Sequence, residues 1–368
     1  MNIKKIICMV LVTVLLFTFV GCQSSTDNNG GSEDVQAEPV NDEETVDETP
    51  AESGNEAYLG AEAKLLEFLS PIPEVSSNYK IAALEITLAN PFWVVMQEGY
   101  EAAAEEFGVE VDVMAAPKED DVNSQLDTLM NILTKNYDAV AISAITPFNL
   151  IPGVAQATKM GIPVVAVGTS VDEEAAKEAD ARVEAFITSD FEEQGTMGAE
   201  FIIEKIGSGE VAIIEGLPGA AQGEARKNGA KKTFEANSDI ELVSVQPGNW
   251  DRKTAYDIAS NLIQAHPELK GIFCANDVMA LGVVEALKAA GKKDDVVVVG
   301  VDFIEEAKDS IVEGELDATV AMSPYLFGKG GLILALKVLE GHELNEEIYW
   351  TPLGLVSAEN VHTFEGWK

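Results

Sequence analysis

Residues 80–115, KIAALEITLANPFWVVMQEGYEAAAEEFGVEVDVMA, contain an apolar run, a helical pattern and a second apolar run. The helix is predicted to begin at Asn90, a residue type favoured at the N-cap, and to end at Gly108. Its apolar and small side chains, Phe92 among them, form one stripe that can face a core. Trp93 points about 100° away from that stripe, because neighbouring helix residues differ by this angle. This second aromatic side chain marks the helix tip as a candidate binding surface.

The same alternation of apolar runs and helical patterns continues towards the C-terminus. The runs read as strands buried on both faces: KIAALEI, VEVDVMA, AVAISAI, PVVAVGT, AFITS, EVAIIEG, IELVSVQ, GIFCA, DVVVVGV and LDATVAM. Strand–helix–strand units of this length require parallel sheets with helices on both faces. This number of strand–helix units is too large for one compact sheet. The sequence therefore predicts an α/β fold with two Rossmann-like lobes.

The N-terminus has the pattern of a lipoprotein signal peptide. MNIKK is short and basic, IICMVLVTVLLFTFV is apolar, and a Gly-Cys pair follows at 21–22. This order predicts a signal over residues 1–21 and a lipidated Cys22, with an uncleaved membrane anchor as the alternative. Both interpretations place the rest of the chain outside the cytoplasmic membrane.

Residues 22–78 are predicted to form a lipid-anchored acidic tether. From 23 to 56 the segment has no Lys or Arg and is rich in Ser, Asn, Gly, Asp and Glu, so it cannot bury enough apolar surface to fold. Residues 57–70 could form one short amphipathic helix.

Composition and motifs exclude several classes of function. The chain carries 63 acidic and 24 basic residues, a net charge of −39, which disfavours nucleic acid as a partner. It has no G-x-S-x-G or G-x-G-x-x-G motif, and GLPGAAQGEAR lacks the GK[ST] ending of a phosphate loop. The three His residues are scattered. We therefore expect no enzyme, no metal site and no cofactor. Cys274, in an apolar run, is predicted to be a core residue.

Polar and aromatic side chains gather where the predicted strands end, which is where open parallel sheets bind ligands. Aromatic rings can stack on the C–H faces of a sugar, while Arg, Asp and Asn exchange hydrogen bonds with its hydroxyls. Each residue also has a structural alternative: core packing for Phe92, lobe packing for the Trp residues and a surface ion pair for Arg226. Asp251 and Asp277 are predicted to cap helices. The candidate set is Asn90, Phe92, Trp93, Thr169, Gln222, Arg226, Trp250, Asn276, Asp302 and Met322.

The ordered segments NPFW, GEARKNGAKKTF, NWDRKTAYDIASNLIQAHPELKGIFCANDVMALG and VVVVGVD resemble the ribose/galactose-type sugar-binding proteins of ABC importers, the type I periplasmic binding proteins. The likeness runs from about Tyr79 to the end. It implies two α/β lobes joined by three hinge crossings, with the ligand in the cleft between them. The implied lobes are 79–189 plus 323–352 and 190–322 plus 353–368, and the crossings lie near Ser189–Asp190, Met322–Ser323 and Thr351–Leu355.

The resemblance assigns sugar contacts to Asn90, Phe92, Trp93, Arg226, Trp250, Asn276 and Asp302, and a weaker one to Gln222. Two positions depart from the family pattern. Gly168-Thr169 stands where ribose-type members have Asp-Arg, and Met322 stands where members have an amide. These departures argue against ribose itself and for a ligand that is less hydroxylated or differently oriented. Glu85, inside the first strand, could compensate or could be structural.

The implied function is that of a monomeric, lipid-anchored solute-binding protein on the extracytoplasmic face of the cell membrane. It would capture a monosaccharide or similar small polyol and deliver it to an ABC transporter permease. The alternative is a sensor that presents the solute to a membrane receptor. A DNA-binding repressor with the same lobes is disfavoured, because an export signal and an acidic segment stand where a basic helix-turn-helix would be needed.

Overall fold

The computed structural model describes residues 60–346 and 348–364. The predicted signal peptide, Cys22 and the tether up to residue 59 lie outside this range. The strands are β1 (Lys80–Thr87), β2 (Glu110–Ala116), β3 (Ala139–Ile142), β4 (Val164–Val167), β5 (Ala185–Thr188), β6 (Gly209–Glu215), β7 (Ile240–Pro247), β8 (Leu269–Cys274), β9 (Val297–Asp302), β10 (Ala318–Ala321), β11 (Ile348–Trp350) and β12 (Gly354–Ser357).

Helices separate these strands. They are α1 (Ala61–Phe68), α2 (Pro91–Phe107), α3 (Val122–Ile132), α4 (Ile151–Met160), α5 (Glu173–Glu178), α6 (Phe191–Ile206), α7 (Ala221–Ala236), α8 (Arg252–Ala265), α9 (Asp277–Ala290), α10 (Glu305–Val312) and α11 (Pro324–Leu339), with a 3₁₀ turn at Lys293–Asp295. No helix in the described part of the chain is long and apolar enough to cross a bilayer.

The strands form two six-stranded sheets, each the basis of one lobe. The first sheet has the order β11-β5-β4-β3-β1-β2 and the second has the order β12-β10-β9-β8-β6-β7. All pairs are parallel except β10 with β12. The predicted α/β fold with two lobes is confirmed, and the runs predicted as strands correspond to β1 to β10. The two short strands after α11 were not predicted.

The chain passes between the two sheets three times. It leaves the first sheet after β5, leaves the second after β10, and passes from β11 in the first sheet to β12 in the second. Helix α11, which follows the second passage, packs closely on α2. A Cβ atom at Gly99 would lie 2.0 Å from the Tyr325 carbonyl oxygen, and one at Gly328 would lie 2.1 Å from that of Met96. Glycine at both positions lets these helices touch through their backbones.

Helix α1 belongs to the folded body of the first lobe. Leu65 and Leu69 are buried, and Leu69 has no exposed surface. The ammonium group of Lys329 lies 2.8 Å from a carboxylate oxygen of Glu62, and that of Lys337 donates a 2.6 Å hydrogen bond to the Leu69 carbonyl oxygen. Residues that the sequence assigned to the tether are thus packed on α11.

Candidate ligand-binding cleft

A cavity lies beyond the carboxyl ends of strands from both sheets. The volume within it that the centre of a water molecule can occupy is about 30 Å³, which is enough to hold water. Its walls are formed by Asn90, Phe92, Trp93, Glu119, Gly168, Thr169, Phe191, Gln222, Arg226, Trp250, Asn276, Asp302 and Phe327. All the residues predicted to contact ligand are therefore brought together here except Met322.

Met322 lies behind the cavity wall. It is fully buried, and its sulfur accepts from the Gln194 side-chain amide at 3.2 Å and lies 3.9 Å from a guanidinium nitrogen of Arg226. The predicted contact between Met322 and ligand is thus replaced by a supporting contact to Arg226. Glu85 is also absent from the walls. Burial within the sheet raises the pKa of its carboxyl to about 9, so it does not compensate for the lost polar groups.

The tip of helix α2 has the predicted cap. The side-chain oxygen of Asn90 accepts from the Phe92 backbone N–H at 3.1 Å, and its amide nitrogen donates to Glu119 at 3.0 Å. The rings of Phe92 and Trp93 meet edge to face, 5.1 Å apart. Trp93 is only 6% exposed and lines the cavity. The second aromatic side chain at this tip therefore faces the cleft.

Glu119 was not predicted, although it lies three residues beyond the end of β2. The strand-end rule that selected the other candidates could have found it. Desolvation is the main cause that raises the pKa of Glu119 to about 7, and the nearby charge of Asp302 adds to it. Hydrogen bonds from the Asn90 amide and the Trp93 indole oppose this increase. The first lobe thus contributes a carboxyl group that titrates near neutral pH.

Arg226 and Asp302 form a buried ion pair in the second lobe. A guanidinium nitrogen of Arg226 lies 3.2 Å from a carboxylate oxygen of Asp302, and the side chains are 4% and 6% exposed. Arg226 also donates to the Gln194 side-chain oxygen at 2.6 Å and to the Ala275 carbonyl oxygen at 2.8 Å. Burial raises the pKa of Asp302 to about 6, and Arg226 lowers it. The surface ion pair considered for Arg226 is therefore wrong.

Close helix packing holds this arginine in place. A Cβ atom at Gly195 on α6 would lie 1.9 Å from the Arg226 carbonyl oxygen on α7. The aromatic ring of Phe191, at the start of α6, lies 5.5 Å from the guanidinium carbon. The guanidinium group is thus fixed by backbone contact, by hydrogen bonds and by a cation–π contact.

The Trp250 indole packs against two glycines of the segment GLPGAAQGEAR. A Cβ atom at Gly216 would lie 2.0 Å from the indole ring, and one at Gly223 would lie 3.0 Å from it. Trp250 itself has a positive φ of 63°, and Asp302 has a φ of 112°. Such backbone conformations cost of order 1–3 kcal/mol and are concentrated at functional sites. The glycine-rich segment thus gives the indole space to lie against the backbone.

Of the two helix caps predicted at Asp251 and Asp277, the first is observed and the second is at a different residue. Asp251 caps α8 as predicted, accepting from the Thr254 N–H at 2.7 Å. The cap of α9 is Asn276, which accepts from the Met279 N–H at 3.0 Å while also lining the cavity. Asp277 was predicted to be this cap but is buried instead, where it accepts from the Thr319 hydroxyl and the Ile304 N–H.

The cavity also contains aromatic residues that were not predicted, Phe191 and Phe327. The rings of Phe92 and Phe327 lie 6.3 Å apart. Phe327 comes from α11, far along the chain, and no local pattern separates it from a core residue. Phe191 directly follows the first passage between sheets. Together these rings make the walls strongly aromatic, with polar groups at a few fixed points.

Gly216→Ala is expected to weaken ligand binding without removing any polar group. The new methyl group would overlap the Trp250 indole, so the ring must move from its place in the cavity wall. A displaced anchor should reduce affinity by at least tenfold, about 1.4 kcal/mol. Calorimetric titration measures this, with Lys231→Ala on α7 as a control because that side chain is 46% exposed. Unchanged affinity in Gly216→Ala would contradict the proposal that Trp250 packs against Gly216 to bind ligand.

Residues 84–343 match the model of the periplasmic binding protein domain. The D-allose-binding periplasmic protein of Escherichia coli (strain K12) is 47% identical over 250 residues, 67% of this chain and 80% of that protein. The ribose import binding protein RbsB of Bacillus subtilis (strain 168) is 33% identical over 280 residues, 75% of this chain and 88% of that protein.

A solved structure has the same fold. It is an ABC transporter periplasmic solute binding protein from Actinobacillus succinogenes 130z with bound D-allose, and it aligns with a TM-score of 0.74 and 32% identity. The alignment covers 78% of this chain and 100% of that structure. Since the family model and both relatives cover two thirds or more of the sequence, this protein belongs to the family of periplasmic binding protein domains.

Proposed function

We propose that this protein is an extracytoplasmic solute-binding protein that captures an aldose of the D-allose type and delivers it to an ABC permease. The observation that carries the proposal is the cavity itself. Aromatic side chains of Trp93 and Trp250 come from different lobes, and the Arg226–Asp302 pair and Asn276 supply directional hydrogen bonds between them. This combination suits a ring with apolar C–H faces and a rim of hydroxyls.

Sequence similarity favours D-allose over ribose. The D-allose-binding relative is 47% identical, whereas the ribose-binding relative is 33% identical. The cavity wall after β4 consists of Gly168 and Thr169, and this departure from the ribose-type pattern argues against ribose without selecting D-allose. The relatives named above are binding or import proteins, so we propose transport in preference to presentation of the solute to a receptor. Closure of two lobes about a hinge is the general behaviour of periplasmic binding proteins.

A thermal-shift screen tests the proposed ligand. D-Allose, D-ribose, D-glucose and myo-inositol would each be added to the purified protein. A ligand that binds only the native state stabilises it by about 2.7 kcal/mol at a hundredfold excess over Kd. The largest shift is expected with D-allose. The sugar-binding proposal is refuted if none of these compounds, nor any other monosaccharide, raises the melting temperature.

We also propose that lipid on Cys22 holds the protein at the outer face of the cell membrane. The basic, apolar and Gly-Cys segments at the N-terminus support this. More than one acyl chain is needed for stable anchoring, which lipoprotein processing would provide. Cys22→Ala should therefore release the protein into the medium or leave an unprocessed precursor. Equal labelling of the mutant and the natural protein by radioactive palmitate would contradict the anchor.

A further inference from the structure

The cavity holds two carboxyl groups on opposite lobes and one guanidinium group. Asp302 has the Arg226 guanidinium at 3.2 Å. Glu119 has only neutral hydrogen-bond donors, the Asn90 amide and the Trp93 indole. Within residues 60–346 and 348–364, no Lys or Arg side chain forms an ion pair with Glu119. An ionised Glu119 would therefore be an uncompensated anion in the cavity wall.

Other charged groups near Glu119 increase this imbalance. Asp120 follows it in the same segment, and Asp302 faces it from the second lobe; both disfavour its ionised form. Arg226 is the one cation among the described residues that line the cavity, and it is already paired with Asp302. With Glu119 neutral, the cavity contains one cation and one anion, so its net charge is zero.

A bound sugar would reduce the exposure of Glu119 to solvent. The side chain is half-buried and lines the cavity. A carboxylate that loses solvent exposure without gaining a cation is strongly disfavoured relative to the neutral acid. Desolvation already outweighs the two N–H donors and raises the pKa of Glu119 to about 7. Filling the cavity strengthens the same effect.

We propose that capture of a neutral sugar is coupled to uptake of one proton by Glu119, which then binds the ligand as a neutral acid. The protonated carboxyl donates its O–H to a sugar oxygen and still accepts from the Asn90 amide and the Trp93 indole. This inference rests on the proposed function, because it needs a sugar in the cavity. It adds a dependence of capture on external pH.

The sign of the pH dependence follows from this coupling. The pKa of Glu119 is higher in the complex than in the free protein, so binding is strongest at a pH below the free value of about 7. Affinity falls as the pH rises through that value. If the complex stays protonated, affinity at pH 8 should be about tenfold lower than at pH 6. The titration of Asp302, near pH 6, affects a lower range.

Calorimetric titration with D-allose in buffers of different ionisation enthalpy measures the proton directly. At pH 8 we expect uptake of a large fraction of one proton per sugar, decreasing towards zero at pH 5.5. Glu119→Gln carries a neutral amide of the same shape, so it should bind more tightly than the natural protein at pH 8 and exchange no proton. Asp120→Asn, next to the site but outside the cavity walls, should retain the uptake.

The possible results are distinguishable. Proton release on binding, saturable binding with no proton exchange, or loss of binding in Glu119→Gln at both pH values would each overturn the coupling while leaving sugar capture intact. Failure of D-allose and every other monosaccharide to bind the natural protein at either pH would overturn the proposed function, and this inference with it.

Discussion

Arg226→Ala is expected to reduce sugar affinity by about 2–5 kcal/mol, enough to abolish binding at ordinary concentrations. The guanidinium group is the only cation in the described cavity walls, and its loss leaves Asp302 without a partner in a desolvated position. The same change should lower the free energy of unfolding by about 3–5 kcal/mol, because removing one member of a buried ion pair leaves an uncompensated charge.

Calorimetric titration and a denaturant melt measure the two effects separately. Lys231→Ala on the same helix is the control, because this side chain is 46% exposed and pairs with Glu235 in the next turn. Arg226→Lys keeps the charge but loses the planar fork that reaches Asp302, Gln194 and the Ala275 carbonyl together, so it should recover stability only in part. Normal affinity in Arg226→Ala would show that Arg226 does not contribute to ligand binding.

Trp250→Ala should weaken sugar binding by about 2–4 kcal/mol through loss of a stacking face in the cavity wall. The indole is 8% exposed and lies against Gly216, so truncation also opens a void in the second lobe. A decrease of about 3–5 kcal/mol in the free energy of unfolding is typical of such a change. Both measurements are therefore needed.

The adjacent residue provides a matched control. Asp251→Ala removes the cap that accepts from the Thr254 N–H, which should cost up to about 2 kcal/mol of stability and little affinity. The assignment of roles after β7 is wrong if Trp250→Ala binds like the natural protein while Asp251→Ala loses the ligand.

Local patterns in the sequence were sufficient for most of the fold. Buried apolar runs identified β1 to β10, since parallel strands covered by helices on both faces are continuously apolar. Asn90 and Asp251 were identifiable as caps because their side chains bond to backbone groups two or three residues away. The site residues at strand ends, such as Asn276 and Asp302, were predictable because parallel topology brings those ends together.

Features that depend on distant contacts were not predictable. Strands β11 and β12 are three and four residues long and are defined by partners in sheets built from earlier strands. Helix α1 is held in place by contacts with Lys329 and Lys337 on α11, which lie more than 250 residues later in the chain. The local sequence predicted a short amphipathic helix here, but it could not show that this helix packs on α11.

The sequence by itself determined the two-lobed α/β fold, the helix caps at Asn90 and Asp251 and most of the cavity walls, because these follow from periodicity, from short-range hydrogen bonds and from the rule that strand ends converge. Only the tertiary structure decided that Met322 supports Arg226 from behind, that Asn276 and not Asp277 caps α9, and that Glu119 faces Asp302 across the cleft. These outcomes depend on burial and on the charge of residues remote in the chain, which set the orientation and protonation of each side chain.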